Sequence, residues 1–432
     1  MTYPTGPLRM LVLGLFVVTG VFLVLWTWSA LGHRAPSGQA LRYFDRQFLE
    51  RASERATWYY LALALRNAFV FGTAFVLVRS GFIVGATENL LTRAGASTHS
   101  GVTRAFIGGA VASFLWLLAV SVASLPFQYY TGYYLERLYG LARMTAGQWF
   151  IDYGKSFLLT ALVTVLSGGV LTLFIAVQPR AWPYLAGAGV LVLSLMLSYL
   201  YPVLVAPMFY RFRPLEDPDL LRDVQELARK AGIEVSQVLV MEASKKTTRL
   251  NAYFAGLGKT KQVVLYDTLL SEASREQARL VLAHEMSHYK HNHVLKSVIL
   301  SSAGALLAFM LFAWAFARSF PGPSVRGTPG TTAPPCPVTI LVMLLLFLSL
   351  VEFVTTPAGN CISRQFEIQA DLDSLAWTGD VQAFLDSQVK LARGNLSDVD
   401  PPAFIRWFAW THPTTLERLE LALRDSAFDG GD

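Results

Sequence analysis

Seven stretches of this 432-residue chain are apolar over at least the length needed to cross a bilayer, and nothing else in the sequence restricts its fold as sharply. They run roughly Leu8 to Leu31, Thr57 to Gly85, Ala105 to Gln128, Ser156 to Val177, Trp182 to Met208, Val294 to Phe316 and Val338 to Asn360. About twenty residues of helix span a hydrocarbon layer, and only helices and closed barrels satisfy every backbone N–H and C=O without water. Composition agrees, because 53% of residues are hydrophobic and 15% charged, outside the soluble range. The expected fold is mainly α, a polytopic membrane protein of about seven transmembrane helices. The first stretch has the outline of a signal peptide, with Arg9 ahead of the apolar run and Trp28, Ser29 and Ala30 near its end. Its core is long for one, so a membrane anchor is expected.

Between the fifth and sixth stretches the composition changes. Leu220, Leu221, Val224, Leu227 and Ala228 recur at a helical period, Val235 to Met241 reads as a strand, and Gly256 and Gly258 mark a turn between two further strands. A small α/β core is expected there. It ends in Val-Leu-Ala-His-Glu-Met-Ser-His-Tyr-Lys from Val281 to Lys290, with His284 and His288 four residues apart and Glu285 between them. Residues i and i+4 lie on one helix face, so both imidazoles can take corners of a tetrahedral Zn²⁺ while Glu285 serves as general base toward an attacking water. Roughly one chain in a hundred of this length carries such a motif by chance, so context decides.

A catalytic zinc needs a third protein ligand and an open fourth position. The helical stretch from Asn360 to Asp371, Asn-Cys-Ile-Ser-Arg-Gln-Phe-Glu-Ile-Gln-Ala-Asp, supplies Glu367 as the candidate ligand. Asp371, one turn on, can accept the ring N–H of a ligating His and fix its tautomer. His412 opens the third piece, His-Pro-Thr-Thr-Leu-Glu-Arg-Leu-Glu, where Pro413 stands near a helix start and leaves the imidazole at the mouth of the element, able to donate to an oxyanion. Taken alone, each piece has a plain structural reading: an amphipathic helix, an acidic helix face, and a surface His.

Together with Leu-Asn-Ala-Tyr-Phe-Ala-Gly-Leu from Leu250 to Leu257, these motifs resemble the type I CAAX prenyl protease family of integral-membrane zinc metallopeptidases. Ala206 to Leu215 and Leu125 to Asp152 extend the likeness over most of the chain. The resemblance implies that His284, His288 and Glu367 hold one Zn²⁺, that Glu285 is the base, and that the helices enclose a water-filled chamber. It gives His412 a catalytic role and lets Asp371, Arg364 and Asn360 support the ligands from behind. Asn251, Ala252 and Tyr253, on an edge strand, and Arg418 would contact substrate. A peptide added as a further strand would present its scissile carbonyl to the metal. Asn251 reads equally well as the cap of a strand end.

The expected organisation is residues 1–207 for the first five spans, 208–293 for a cytosolic catalytic insertion, 294–360 for the sixth and seventh spans, and 361–432 for a C-terminal helical segment. Connections on the side of the zinc motifs carry Arg34, Arg42, Arg46, Arg51, Arg55, Arg137, Arg143 and Lys155. The opposite loops carry Arg93, Arg104, Arg180, Arg318 and Arg326, with Arg9 and Arg79 also on that side. The positive-inside rule then places the zinc motifs in the cytosol. It also accounts for the net charge of +6 without nucleic acid, for which no binding motif is present. A chain rich in Ala, Leu, Gly and Arg that ends without a dilysine-type signal suits a bacterial cytoplasmic membrane better than the endoplasmic reticulum.

Arg66, Asn67 and Glu352 fall within the spans and should face protein or water. His291 and His293 follow the zinc motif and read as interfacial side chains. Cys336 and Cys361 bracket a helix rising roughly 37 Å, too far to bridge. A Pro/Gly-rich connection from Pro321 to Pro335 and an acidic tail from Asp429 to Asp432 complete the chain. The expected partners are the bilayer and a peptide or protein substrate, prenylated by the family's name. The alternatives are a general membrane protease with no lipid requirement, and a non-catalytic scaffold or transporter with a structural metal. Structural sites close with four protein ligands, whereas this chain offers three and an adjacent Glu. Oligomeric state leaves no mark in the sequence.

Overall fold

The computed structural model describes residues 6–32, 35–95, 101–235, 237–256, 258–260, 262–320 and 335–429. Arg34, Arg326, all but the last residue of the Pro321 to Pro335 connection, and the tail beyond Asp429 lie outside the described residues.

Seven helical spans among the described residues are long and apolar enough to cross a membrane, and each contains most of one expected stretch. The first is α1 (Pro7–Leu31), followed by α2 (Arg46–Ser80), which Asp45 caps by accepting the N–H of Phe48. Gly81, left-handed at φ 68°, ends α2 and opens the short α3 (Phe82–Arg93), so the second apolar stretch is divided where the sequence reading ran it through to Gly85. The third span is α4 (Gly101–Tyr129), continued by a π-helical turn at Tyr130–Tyr134 and α5 (Leu135–Leu138). The fourth and fifth are α6 (Ala146–Val177), opened by a capping box at Thr145 and Gln148, and α7 (Trp182–Leu200) with its extension to Met208.

Glycines let α4 and α6 meet closely. A Cβ on Gly109 would lie 2.1 Å from Thr172 Oγ1 and 2.5 Å from the carbonyl of Gly168. Lipid offers no hydrophobic drive between helices, so such small-residue contact is what holds the pair.

Next comes the α/β insertion: β1 (Phe212–Pro214), α8 (Pro218–Ala231), β2 (Val238–Met241), β3 (Ala252–Ala255), β4 (Gln262–Tyr266), α9 (Asp267–Glu272) and α10 (Arg275–Lys290). The sheet order is β1-β2-β4-β3, with β2 and β4 parallel and the other pairs antiparallel, which leaves β3 on an edge. Gly256, at φ 92°, makes the β3–β4 turn. Leu220, Val224 and Leu227 of α8, Val240, Val263 and Leu265 of the sheet, and Leu282, Ala283 and Met286 of α10 form one buried cluster.

The sixth span is α11 (His293–Ser319) and the seventh is α12 (Pro337–Thr378). At 42 residues α12 is about 63 Å long, twice a bilayer's core. Its first half is the centre of the membrane bundle, with Leu341, Val342, Leu344, Phe347 and Leu350 fully buried. Its second half continues without a break beside α10, so the expected boundary at 360/361 falls inside a helix. Among the flanking spans, α7 keeps Tyr184, Val192, Met196 and Tyr199 exposed, as a lipid-facing helix does. Arg66 and Asn67 meet each other on α2 at 3.4 Å. The chain closes with α13 (Val381–Asn395), α14 (Ala403–Ala409) and α15 (Thr415–Asp429).

Candidate metal centre

Ser274 and Gln277 start α10 with a capping box, and its apolar residues bury against the sheet and α8. That packing fixes the helix rotation and turns His284 and His288 toward α12. Their Nε2 atoms lie 3.2 Å apart. Glu367 on α12 places Oε2 3.2 Å from His284 Nε2 and Oε1 3.6 Å from His288 Nε2. With ligand bonds near 2.0–2.1 Å, the edge of a tetrahedral zinc site is about 3.3 Å, so the three donors stand at coordination spacing. Glu367 Oε2 is buried without a hydrogen-bond partner. Three converging lone-pair donors repel one another unless a cation joins them, so the donor set fits a metal.

The electrostatics agree. Burial opposes a charge on His284, but the Asp371 carboxylate hydrogen-bonded to its Nδ1 and the nearby Glu367 carboxylate outweigh it and hold the ring up to about 10. The surrounding carboxylates thus create a field that favours positive charge at the donors. Burial, joined by the charge on His284, drives His288 down to about 3, which leaves a neutral ring able to ligate. Burial pushes Glu285 up to about 7, within the useful range for a general base, while the backbone of Phe254 reaches its carboxylate.

Asp371 is fully buried and backs His284, with Oδ1 2.9 Å from Nδ1. Arg418, expected against substrate, instead forks onto this carboxylate: Nε donates to Oδ2 at 2.8 Å, and Nη2 to Oδ1. Its guanidinium is therefore engaged in holding Asp371, although its side chain still reaches the cavity wall. Asn360 and Arg364 are likewise placed one step back. Asn360 Nδ2 donates to the carbonyl of Phe408 at 2.6 Å and Arg364 Nη1 to that of Trp410 at 2.5 Å, which braces the loop that carries His412. His412 Nε2 stands 3.4 Å from Glu367 Oε2 at the rim, with 56% of its side chain exposed.

Asn251 and Ala252 line a cavity of ≈ 110 Å³ with His284, Glu285, His412 and Arg418. Tyr253 points to the other face of the sheet, where its ring meets Tyr266 edge-on and its hydroxyl contacts Met241 Sδ, and by the alternation of the strand its backbone groups face β4 and not the free edge. Asn251, His412 and Arg418 also border a larger cavity of ≈ 970 Å³ that extends to α2 and the π-helical turn.

His293 corrects the sequence reading. It is buried rather than interfacial, and its Nδ1 lies 2.9 Å from Nδ1 of His288. Asn292, left-handed at φ 52°, makes the turn between α10 and α11 that folds His293 back. Phe366 stacks on its ring with centroids 4.3 Å apart. Beyond it, Nε2 meets Gln369 Oε1 at 3.1 Å, Gln369 Nε2 meets His291 Nδ1 at 3.4 Å, and His291 Nε2 meets Asp373 Oδ2 at 2.7 Å. Ser287 Oγ donates to the same oxygen of Asp373 at 2.7 Å. No motif announced Gln369 or Asp373. The available signal was that they flank Glu367 on a helix already pressed against α10.

Two family profiles match the chain: "CAAX prenyl protease N-terminal, five membrane helices" over residues 43–211 and "Peptidase family M48" over residues 214–425. CAAX prenyl protease 1 of Saccharomyces cerevisiae is 31% identical, with 71% of this chain and 70% of the relative covered. A Bacillus subtilis protein described as the uncharacterized metalloprotease YhfN is 30% identical, with 72% of each covered. The crystal structure of S. mikatae Ste24p superposes with a TM-score of 0.80, at 23% identity and 97% and 100% coverage, and so shares the fold. On these matches the chain belongs to peptidase family M48 and is a multi-pass membrane metalloprotease.

Proposed function

We propose that the chain is a zinc endopeptidase in which His284, His288 and Glu367 hold the ion and Glu285 is the general base. The observation that carries this reading is the convergence of the donors: His284 Nε2 and His288 Nε2 lie 3.2 Å apart and each faces one oxygen of Glu367, Oε2 at 3.2 Å and Oε1 at 3.6 Å, with Glu285 beside them on α10. When bound, zinc supplies Lewis acidity to the scissile carbonyl and to an attacking water. Glu285 takes the proton of that water and passes it to the leaving amine. Asp371 fixes the Nδ1–H tautomer of His284, and Arg418 keeps Asp371 ionised and aimed. Asn251 and the free edge of β3 hold the substrate backbone, and His412 donates to the developing oxyanion from the rim.

Residues 208–293 act as the catalytic insertion between membrane parts 1–207 and 294–360, with 361–432 completing the site. The basic loops favour a cytosolic site, in a bacterial cytoplasmic membrane. For substrate, the name of the yeast relative supports processing of prenylated C-a-a-X proteins, while the Bacillus relative keeps open a peptidase without a prenyl requirement. The test is cleavage, by the detergent-purified chain, of one C-a-a-X peptide supplied farnesylated and unfarnesylated, with Glu285→Gln as the blank. Cleavage of the lipidated form alone supports prenyl-directed processing, and equal cleavage supports a general endopeptidase. No cleavage of either with zinc bound counts against both.

A further inference from the structure

The small cavity beside the metal centre is lined by a polar side chain that nothing else in the protein engages. One wall of that cavity is α13, whose Phe384, Ser387, Gln388 and Leu391 recur at helical spacing on a single face. Gln388 is only 6% exposed, and among the described residues its side-chain amide has no hydrogen-bond partner. It borders both the cavity of ≈ 110 Å³ and the larger one, so the amide is reached from the active site.

The polar groups around it are already engaged. Ser387 Oγ donates to the carbonyl of Phe384 at 2.8 Å, Ser374 Oγ to that of Asp371 at 2.7 Å, and Arg418 forks onto Asp371. Leu280 and Val281 of α10, with Phe384 and Leu391, make the remaining wall apolar. A buried amide left without a partner is destabilising, and a polar ligand arriving from the cavity reverses that cost.

The fold also says what arrives. Ala252 packs on the α10 side of the sheet, in one cluster with Leu282, Ala283 and Met286. Side chains of a strand added on β3 point above and below the sheet, so a substrate residue beside Ala252 that points the same way enters the space between α10 and α13. That space amounts to about four waters, which favours a short side chain.

We infer that Gln388 is a specificity-determining residue that selects, at this substrate position, a short side chain able both to donate and to accept a hydrogen bond: Ser, Thr or Asn. The inference deepens the proposed peptidase reading and rests on it, with the substrate strand on β3. An amide offers an N–H and a carbonyl together, and a hydroxyl or a second amide answers both. Val has the shape of Thr but leaves Gln388 unpaired, which is how a polar pocket rejects an apolar isostere.

Binding to the full-length, zinc-loaded Glu285→Gln chain tests this separately from catalysis. The probes are N-terminally fluorescent, alanine-based hexapeptides in which one position at a time carries Thr or Val. At one position Thr should bind about tenfold tighter than Val, and there Gln388→Leu in the same background should reverse the order. A reversal cannot come from misfolding, which weakens both peptides. Gln388→Glu, of the same shape and still an acceptor, guards against a damaged Leu variant and should keep the preference for Thr. No binding, no Thr preference at any position, or a preference that survives Gln388→Leu overturns the inference. An equal loss of both peptides in Gln388→Leu with zinc still bound also overturns it, because the amide then serves the substrate backbone. Cleavage of the same peptides by the parent reports on the peptidase reading, whose failure would show there and leave the Thr-to-Val ratio to be judged by itself.

Discussion

His293 Nδ1 lies 2.9 Å from Nδ1 of His288, so one histidine supports the other from the first residue of the following membrane helix. The two motif histidines are thereby held differently. A buried carboxylate, itself held by Arg418, stands behind His284. Behind His288 stands a neutral ring in a chain that ends at Asp373. The chain is self-consistent as to protons: His291 donates to Asp373, Gln369 to His291, His293 to Gln369 and His288 to His293, which leaves His288 Nε2 with its lone pair facing the metal site. Replacing His293 with Ala should weaken zinc binding about 10- to 100-fold, the usual effect of losing a partner behind a ligand. His293→Asn, which retains a polar side chain, should recover part of it. Zinc dissociation rates of the purified variants measure this, and unchanged rates would sink the assignment.

Glu285→Gln should retain zinc near one per chain and lower kcat by about 10²–10⁴-fold, the range for loss of a general base. Glu367→Ala should instead lose the metal. Metal analysis alongside turnover separates the two, because a base and a ligand fail in opposite columns of the same experiment. A Glu285→Gln chain as active as the parent would remove this residue from the mechanism.

Removing the metal is the plainest check on the cofactor. A strong chelator should abolish cleavage and lower thermal stability in detergent, since binding to the folded state alone stabilises it by mass action. Zinc should restore both, and magnesium should not, because two imidazoles and one carboxylate are a poor set for a hard, oxygen-seeking ion. Full activity in excess chelator after long dialysis would rule out a metal-dependent reading of this site.

Much of this was legible in the sequence, for identifiable reasons. Apolar runs of about twenty residues report their own burial in lipid, so the spans could be read directly, and the i, i+4 spacing put His284 and His288 on one face whatever surrounded them. The break at Gly81 was missed because both flanks are apolar and helical, and only the backbone shows φ 68°. The fork of Arg418 onto Asp371 was not legible for a different reason: Asp371 lies 47 positions away in sequence, and only the packing of α15 against α12 brings the fork and the carboxylate together. The place of His293 behind His288 is not legible in the sequence, because continuing the helical period from His288 carries it off the metal face. The single left-handed residue Asn292 resets that period.

Arg418→Ala should be costly because of what it leaves behind. Asp371 has no solvent exposure, and without the fork its charge is balanced only by His284. Breaking a buried pair by removing one partner costs about 3–5 kcal/mol, mostly from the stranded charge. Asp371 should then protonate or shift, releasing His284 from its tautomer, so stability and zinc affinity should fall together. The double variant Arg418→Met with Asp371→Asn removes both charges. It should recover much of the stability while leaving zinc affinity low, because an Asn backs an imidazole less strongly than a carboxylate. Thermal unfolding in detergent and zinc titration read the two quantities independently. If Arg418→Ala leaves both unchanged, the fork onto Asp371 has no part in holding the site.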